Sequence, residues 1–112
     1  MTQMKDKKPF YLAGLFSTQS GDFKKTDVGS CTIITTEANS LQSTIHKRMP
    51  VIIPVENASI WLKRETHNYS EIQQLLKPYP SSSMEIWPVS NKIGDVRNNY
   101  IELIKPISKL LL

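Results

Sequence analysis

One cysteine, Cys31, stands in 112 residues. An intramolecular disulfide is impossible, and so is a zinc cage built from thiolates. A chain without disulfides fits a reducing compartment, and a cytoplasmic location is the expectation. Long apolar runs are also missing. The longest, around Val51 to Val55, is strand-sized and broken by Pro54, where a membrane span needs roughly 20 residues. The opening MTQMKDKKPF is charged and has no apolar stretch followed by a small-residue cleavage site, so it does not read as a secretory signal. No internal repeat and no long tract of like charge occurs, which speaks against a solenoid and against a disordered basic tail.

What is present is an ordinary globular composition, 39% hydrophobic and 21% charged, with a formal charge of +4. A chain of this size makes one domain at most, with a modest core and little stability to spare. The basic excess favours polyanions such as nucleic acid, although +4 alone is a weak signal. Its distribution is more informative. Lys5, Lys7, Lys8, Lys24 and Lys25 crowd the first quarter, Lys47 and Arg48 follow His46, and Lys92 and Arg97 sit in a Gly/Asn-rich loop.

The pattern predicts short strands alternating with short helices. Phe10 to Phe16 is mostly apolar, and its Ala13-Gly14 step allows another backbone to approach closely. Cys31 to Thr36 is a β-branched run and the clearest strand. Glu37 to Ile45 suits a short helix capped by Thr36, and Met49 to Pro54 returns as a strand. Asn57 is placed to cap a turn over Ala58 to Leu62, and Ser70 with Gln73 forms a capping-box pattern for a helix through Leu76. Met84 to Val89 reads as a strand that Pro88 confines to an edge or an end, and Tyr100 to Ile104 as a helical turn. Ser17 to Asp27 and Lys77 to Ser83 read as loops. The fold class is therefore α+β, with short, mostly antiparallel strands and short helices. The sheet looks incomplete: its apolar faces want cover that these elements do not supply.

Of the two histidines, His67 lies in the polar stretch RETHNYS, whereas His46 stands beside Lys47, Arg48 and Pro50 after a Thr-rich strand. A lone histidine is most often a surface or satisfied core residue. This one is the side chain best suited to exchange protons near neutral pH. If the segment is extended, Arg48 projects on the same side as His46. Guanidinium beside imidazole suits a phosphodiester or sugar-phosphate: one group holds the phosphate, the other handles protons. Trp61 reads as core, and Trp87 as either core or a stacking platform for bases.

Taken in order, CTIITTEAN, the His-x-Arg-Met-Pro-Val run from His46 to Val51, the Trp61-Leu62 pair, MEIWPVS and ELIKP resemble the C-terminal half of SOS response-associated peptidase (SRAP) domains. FYLAGLF is similar to the strand that this family writes as apolar-Ala-Gly-Leu-Trp. The resemblance runs from about Pro9 to Pro106. It implies a partial SRAP-type fold: a charged lead over 1–8, the C-terminal half of the domain over 9–106, and an apolar tail over 107–112. It also implies a function. Such domains bind single-stranded DNA containing abasic sites. A cysteine at the mature N-terminus, freed by removal of the leading methionine, condenses through its amine and thiol with the opened sugar aldehyde. The product is a protective thiazolidine crosslink. By the same resemblance, His46 is the catalytic histidine, and Arg48, Thr35 and Thr44 are DNA-binding residues, Arg48 through phosphate. No metal and no cofactor is implied.

The chain departs from the pattern in beginning Met1-Thr2. Neither the Gly-Phe/Trp-Tyr-Glu-Trp segment with the family's glutamate nor the segment with its asparagine and most DNA-gripping arginines is found. Cys31 has no free α-amine and reads as a small buried hydrophobe. The expectation is a fragment that is inactive alone. Two alternatives remain open at this point: a non-catalytic single-stranded DNA-binding module, or a complementing subunit that pairs with a separately encoded N-terminal half.

Overall fold

A computed structural model describes residues 1–18, 28–63 and 69–107. Eight short strands are β1 (Thr2–Met4), β2 (Tyr11–Leu12), β3 (Gly14–Thr18), β4 (Gly29–Ile33), β5 (Thr35–Glu37), β6 (Arg48–Pro50), β7 (Ile52–Ile53) and β8 (Met84–Ile86). Two helices, α1 (Ala58–Leu62) and α2 (Tyr69–Leu75), lie between β7 and β8. Single 3-10 turns cover Gln42–Thr44, Val55–Asn57, Ser81–Ser83, Asn91–Gly94 and Ile101–Ile104. Every strand pair is antiparallel: β1 with β8, β2 with β7, β3 with β4, and β5 with β6. The fold is α+β, as the residue pattern predicts.

Three of these pairs are one construction. The segments 11–18, 29–37 and 48–53 are each a single strand that changes partner at one residue: Ala13, Ile34 and Val51. A strand leaving one ladder for another exposes a backbone N–H and C=O that both neighbours have abandoned. Here the three orphaned groups satisfy one another in a ring. Ala13 donates to the Val51 carbonyl, Val51 to that of Ile34, and Ile34 to that of Ala13, each at 2.9 Å. Ala13 and Val51 are fully buried. Close approach at the neighbouring Gly14 is real: a Cβ there would lie 3.3 Å from the Thr32 carbonyl oxygen.

The 48–53 segment is the spine of the core. Met49 and Ile52 face one cluster with Met4 and Met84, and Val51 and Ile53 face a second with Ala13 and Leu75. Both clusters are small. Trp61 is half-buried against the second, its indole N–H donating to the Gly14 carbonyl at 3.2 Å.

Several expectations are corrected. Glu37 to Ile45 is not a helix, and Thr36 is no cap but a β5 residue opposite Met49. The β-branched pair Thr35-Thr36 prolongs the strand to Glu37. Beyond it Asn39 caps one short helical turn, its carbonyl also taking Ser43 N–H at 2.9 Å, and hydroxyls share the carbonyls of that turn. The Asn39 carboxamide oxygen accepts from Gln42 N–H at 2.9 Å, the Ser43 hydroxyl donates to the Ser40 carbonyl at 3.0 Å, and the Thr44 hydroxyl to that of Leu41 at 2.8 Å. Asn57 precedes α1 but makes no side-chain cap bond, because the 3-10 turn runs straight into the helix. Helix α2 includes Tyr69, one residue ahead of the expected Ser70 start. Strand β8 stops at Ile86, since its partner begins at Thr2. Even so, Trp87 N–H still donates to the Met1 carbonyl at 3.0 Å. Cys31 is exposed rather than buried, as is every residue of β4. Most of the expected Ser17 to Asp27 loop, His67, and all but the first residue of the apolar tail lie outside the described residues.

The molecule is open for its size. Its radius of gyration is 17.3 Å, against about 13 Å for a compact chain of this length. Its accessible surface is 9060 Å², against roughly 6,300 Å² for a folded monomer of this mass. Much exposed apolar surface gathers on and around β2–β4: Tyr11, Leu12, Leu15, Phe16, Val28 and Ile33. Among the described residues, no helix is long and apolar enough to cross a membrane.

Two small clusters beside so much exposed apolar surface should not unfold as one cooperative unit. The 112-residue chain is expected to melt over a broad range in calorimetry and to bind a hydrophobic dye before melting. A sharp two-state transition without dye binding would show that the two clusters suffice.

Candidate functional site

The turn between β5 and β6 carries the side chains of interest. The ladder that holds it pairs Thr35 with Pro50, Thr36 with Met49 and Glu37 with Arg48, and Ala38 N–H extends it to the Lys47 carbonyl at 3.0 Å. Beyond Ala38 the chain loops outward and returns at His46, whose N–H donates to the Gln42 carbonyl at 3.0 Å.

Asn39 anchors this loop to the core. Its amide nitrogen donates to the Tyr79 carbonyl at 2.6 Å and approaches Met84 Sδ at 3.4 Å, and its oxygen takes Gln42 N–H. Its own backbone N–H points at Met49 Sδ, 3.4 Å away. One side chain thus joins the loop, the segment before β8 and the methionine cluster. Sequence reasoning read Asn39 only as one letter of CTIITTEAN. A short polar side chain just after a strand is a general sign of a backbone-capturing turn.

The structure brings three of the four candidate residues together. Arg48 Nη2 donates to both the carbonyl oxygen and the hydroxyl of Thr35, at 2.8 and 3.2 Å. Backbone N–H of Arg48 donates to His46 Nδ1 at 3.0 Å. His46, Arg48 and Thr35 are all exposed. The imidazole meets Arg48 through its main chain, not as two parallel side chains of an extended strand, because Lys47 is a bend. Thr44 stands apart: its hydroxyl serves the loop through Leu41. Among the described residues nothing else bonds the Arg48 guanidinium, so one nitrogen is clamped and the rest of the donor fork faces water.

The other basic loop is differently disposed. Arg97 is held by Asp95, through Nη2 at 2.7 Å and through Nε. Its side-chain bonds, then its backbone N–H bond, hold the Asp95 carboxyl below the usual range, and Asp95 in turn raises Arg97. Arg48 makes no ion pair of this kind among the described residues, although Glu37 stands opposite it in the ladder. Trp87, the undecided aromatic, is half-buried and donates its indole N–H to the Ile104 carbonyl at 2.7 Å. Among the described residues, no group of three or more His, Cys, Asp or Glu could hold a metal ion.

The arrangement resembles known proteins along nearly its whole length. The family model described as SOS response associated peptidase (SRAP) matches residues 1–96. The abasic site processing protein YoqW of Bacillus subtilis is 38% identical over 106 residues, which cover 92% of this chain and 46% of that protein. YedK, the Escherichia coli protein of the same description, is 28% identical over 106 residues, 91% of this chain and 46% of its own length. A crystal structure of a protein from Bacteroides thetaiotaomicron superposes with a TM-score of 0.77 at 25% identity, covering 96% of this chain and 47% of that one. The chain spans about half the length of the curated relatives it matches.

Replacing Asn39 with Ala should release the loop while sparing the ladder. Losing partners worth roughly 1–2 kcal/mol implies on the order of tenfold faster hydrogen exchange at the Gln42 amide. The Val51 amide should be unaffected. Equal acceleration at both positions would mean that Asn39 supports the whole fold.

Proposed function

The chain belongs to the SOS response associated peptidase family, and from that premise we propose that its β5–β6 turn holds the sugar-phosphate of an abasic site in single-stranded DNA. The curated relatives are named abasic site processing proteins. The observation that carries the reading is the clamped, exposed Arg48 fork beside His46. A guanidinium pinned by one nitrogen has lost much of its rotamer freedom before a ligand arrives, and it presents paired donors that match phosphate geometry. Thr35 sets that pose. Thr44 acts through the loop that delivers His46.

In the complete domain, the amine and thiol of an N-terminal cysteine would condense with the opened aldehyde of the lesion. Water is lost and a thiazolidine crosslink forms. Within these 112 residues the one cysteine is Cys31, whose nitrogen is a peptide amide inside β4. The proposal assigns this chain the recognition part of the site and no covalent step of its own. The uncovered apolar face around β3 and β4 is the natural seat for the rest of such a domain.

Two outcomes are expected. Arg48→Ala should weaken binding to single-stranded DNA and lower the salt slope by about 0.7, the loss of one phosphate contact. His46→Ala should leave that affinity nearly unchanged. Unaltered affinity and slope in Arg48→Ala would remove the basis of the reading. The 112-residue chain, incubated with abasic single-stranded DNA, should also yield no heat-stable adduct on a denaturing gel. An adduct would show that a nucleophile other than a terminal cysteine is at work.

A further inference from the structure

Nδ1 of His46 has two neighbours on a single residue. The Arg48 N–H donates to it at 3.0 Å, and the Arg48 carbonyl oxygen lies 3.3 Å away. Both contacts cannot be hydrogen bonds at once. A ring nitrogen has one in-plane position, occupied by a proton or by a lone pair. The carbonyl contact would need a proton there, and the amide contact needs a lone pair.

The amide decides, because a backbone N–H can only donate and cannot rotate away. Its direction is fixed by the ladder. The Lys47 carbonyl takes Ala38 N–H. In an antiparallel pair the following residue therefore turns its N–H and C=O to the opposite edge. That edge is where the imidazole lies. The shorter contact is the bond, and the carbonyl is merely near.

We infer that the fold holds neutral His46 as its Nε2–H tautomer, which makes it a hydrogen-bond donor to a substrate oxygen and not a general base. The role toward substrate rests on the reading that this turn faces a lesion; the tautomer does not. With Nδ1 occupied, the outer edge of the ring has no lone pair with which to take a proton. His46 and Arg48 then present donors only. Together they select a ligand rich in acceptor oxygens, such as a phosphodiester or the oxygens of an opened sugar. Proton acceptance during the chemistry falls to another group. Arg48 has two separable roles: its side chain holds phosphate, and its main chain sets the histidine.

The test is a long-range proton–nitrogen correlation spectrum of the chain with nitrogen-15-labelled histidine, taken at about pH 8, above the ordinary histidine range. Signals of His46 are those lost in His46→Gln. The expected result is a protonated Nε2 and an unprotonated Nδ1, in the parent chain and equally in Arg48→Ala, which keeps the backbone N–H. A protonated Nδ1 overturns the inference. So do averaged shifts of two exchanging tautomers, the signature of a ring with no fixed partner. A protonated Nδ1 together with weakened DNA binding in Arg48→Ala would sink this inference and leave the lesion reading intact. A protonated Nε2 with DNA binding indifferent to Arg48 would retain the tautomer and remove its assigned substrate.

Discussion

Three backbone hydrogen bonds, passed in a ring among Ala13, Ile34 and Val51, hold the rest of the structure in register. Each marks the residue at which a strand exchanges one partner for another. Without the ring, three N–H groups and three carbonyls would be buried unpaired, at a cost of about 1–3 kcal/mol each. The ring also leaves no freedom of alignment. With Ile34 fixed against Val51, Thr35 must face Pro50, Thr36 Met49 and Glu37 Arg48. A slip of one residue would turn Met49 from the core to solvent.

The site inherits this register. Arg48 reaches the Thr35 carbonyl and hydroxyl because the ladder places them two positions apart across the strand pair. His46 is not in the ladder. It is delivered by a loop anchored by Asn39, bonded to the Tyr79 carbonyl and lying against Met84 Sδ, and by Leu41, packed on the methionine cluster. The two side chains thus stand on two supports of different stiffness. The guanidinium is fixed by sheet register, and the imidazole by a polar strut and one backbone amide.

Openness follows from the same architecture. Strands β3 and β4 pair with each other and Trp61 bonds the Gly14 end of β3, yet Leu15, Phe16 and Ile33 remain exposed. Curated relatives of about twice the length supply a ready account of such a surface. For the same reason Cys31, expected as a buried hydrophobe, lies in the open.

Some of this was readable from the order of residues alone. The β-branched run before Glu37, the His-x-Arg-Met-Pro motif and the proline-punctuated strands depend on local chemistry, so strand positions and the family resemblance followed from them. The Glu37 to Ile45 segment was misread because Thr36 and Glu37 are held by a long-range strand partner and the cap is Asn39, which leaves room for one short turn. Strand β1 went unforeseen because its partner, β8, lies some eighty residues away in sequence. Sequence by itself determined which groups stand near one another along the chain: an imidazole, a guanidinium and the threonines before them. Only the tertiary structure decided what each group offers. The direction of one amide in a ladder, and the pairing of Thr35 with a strand thirteen residues on, are long-range facts. They fix which backbone groups face His46 and the pose of Arg48, and no local pattern encodes them.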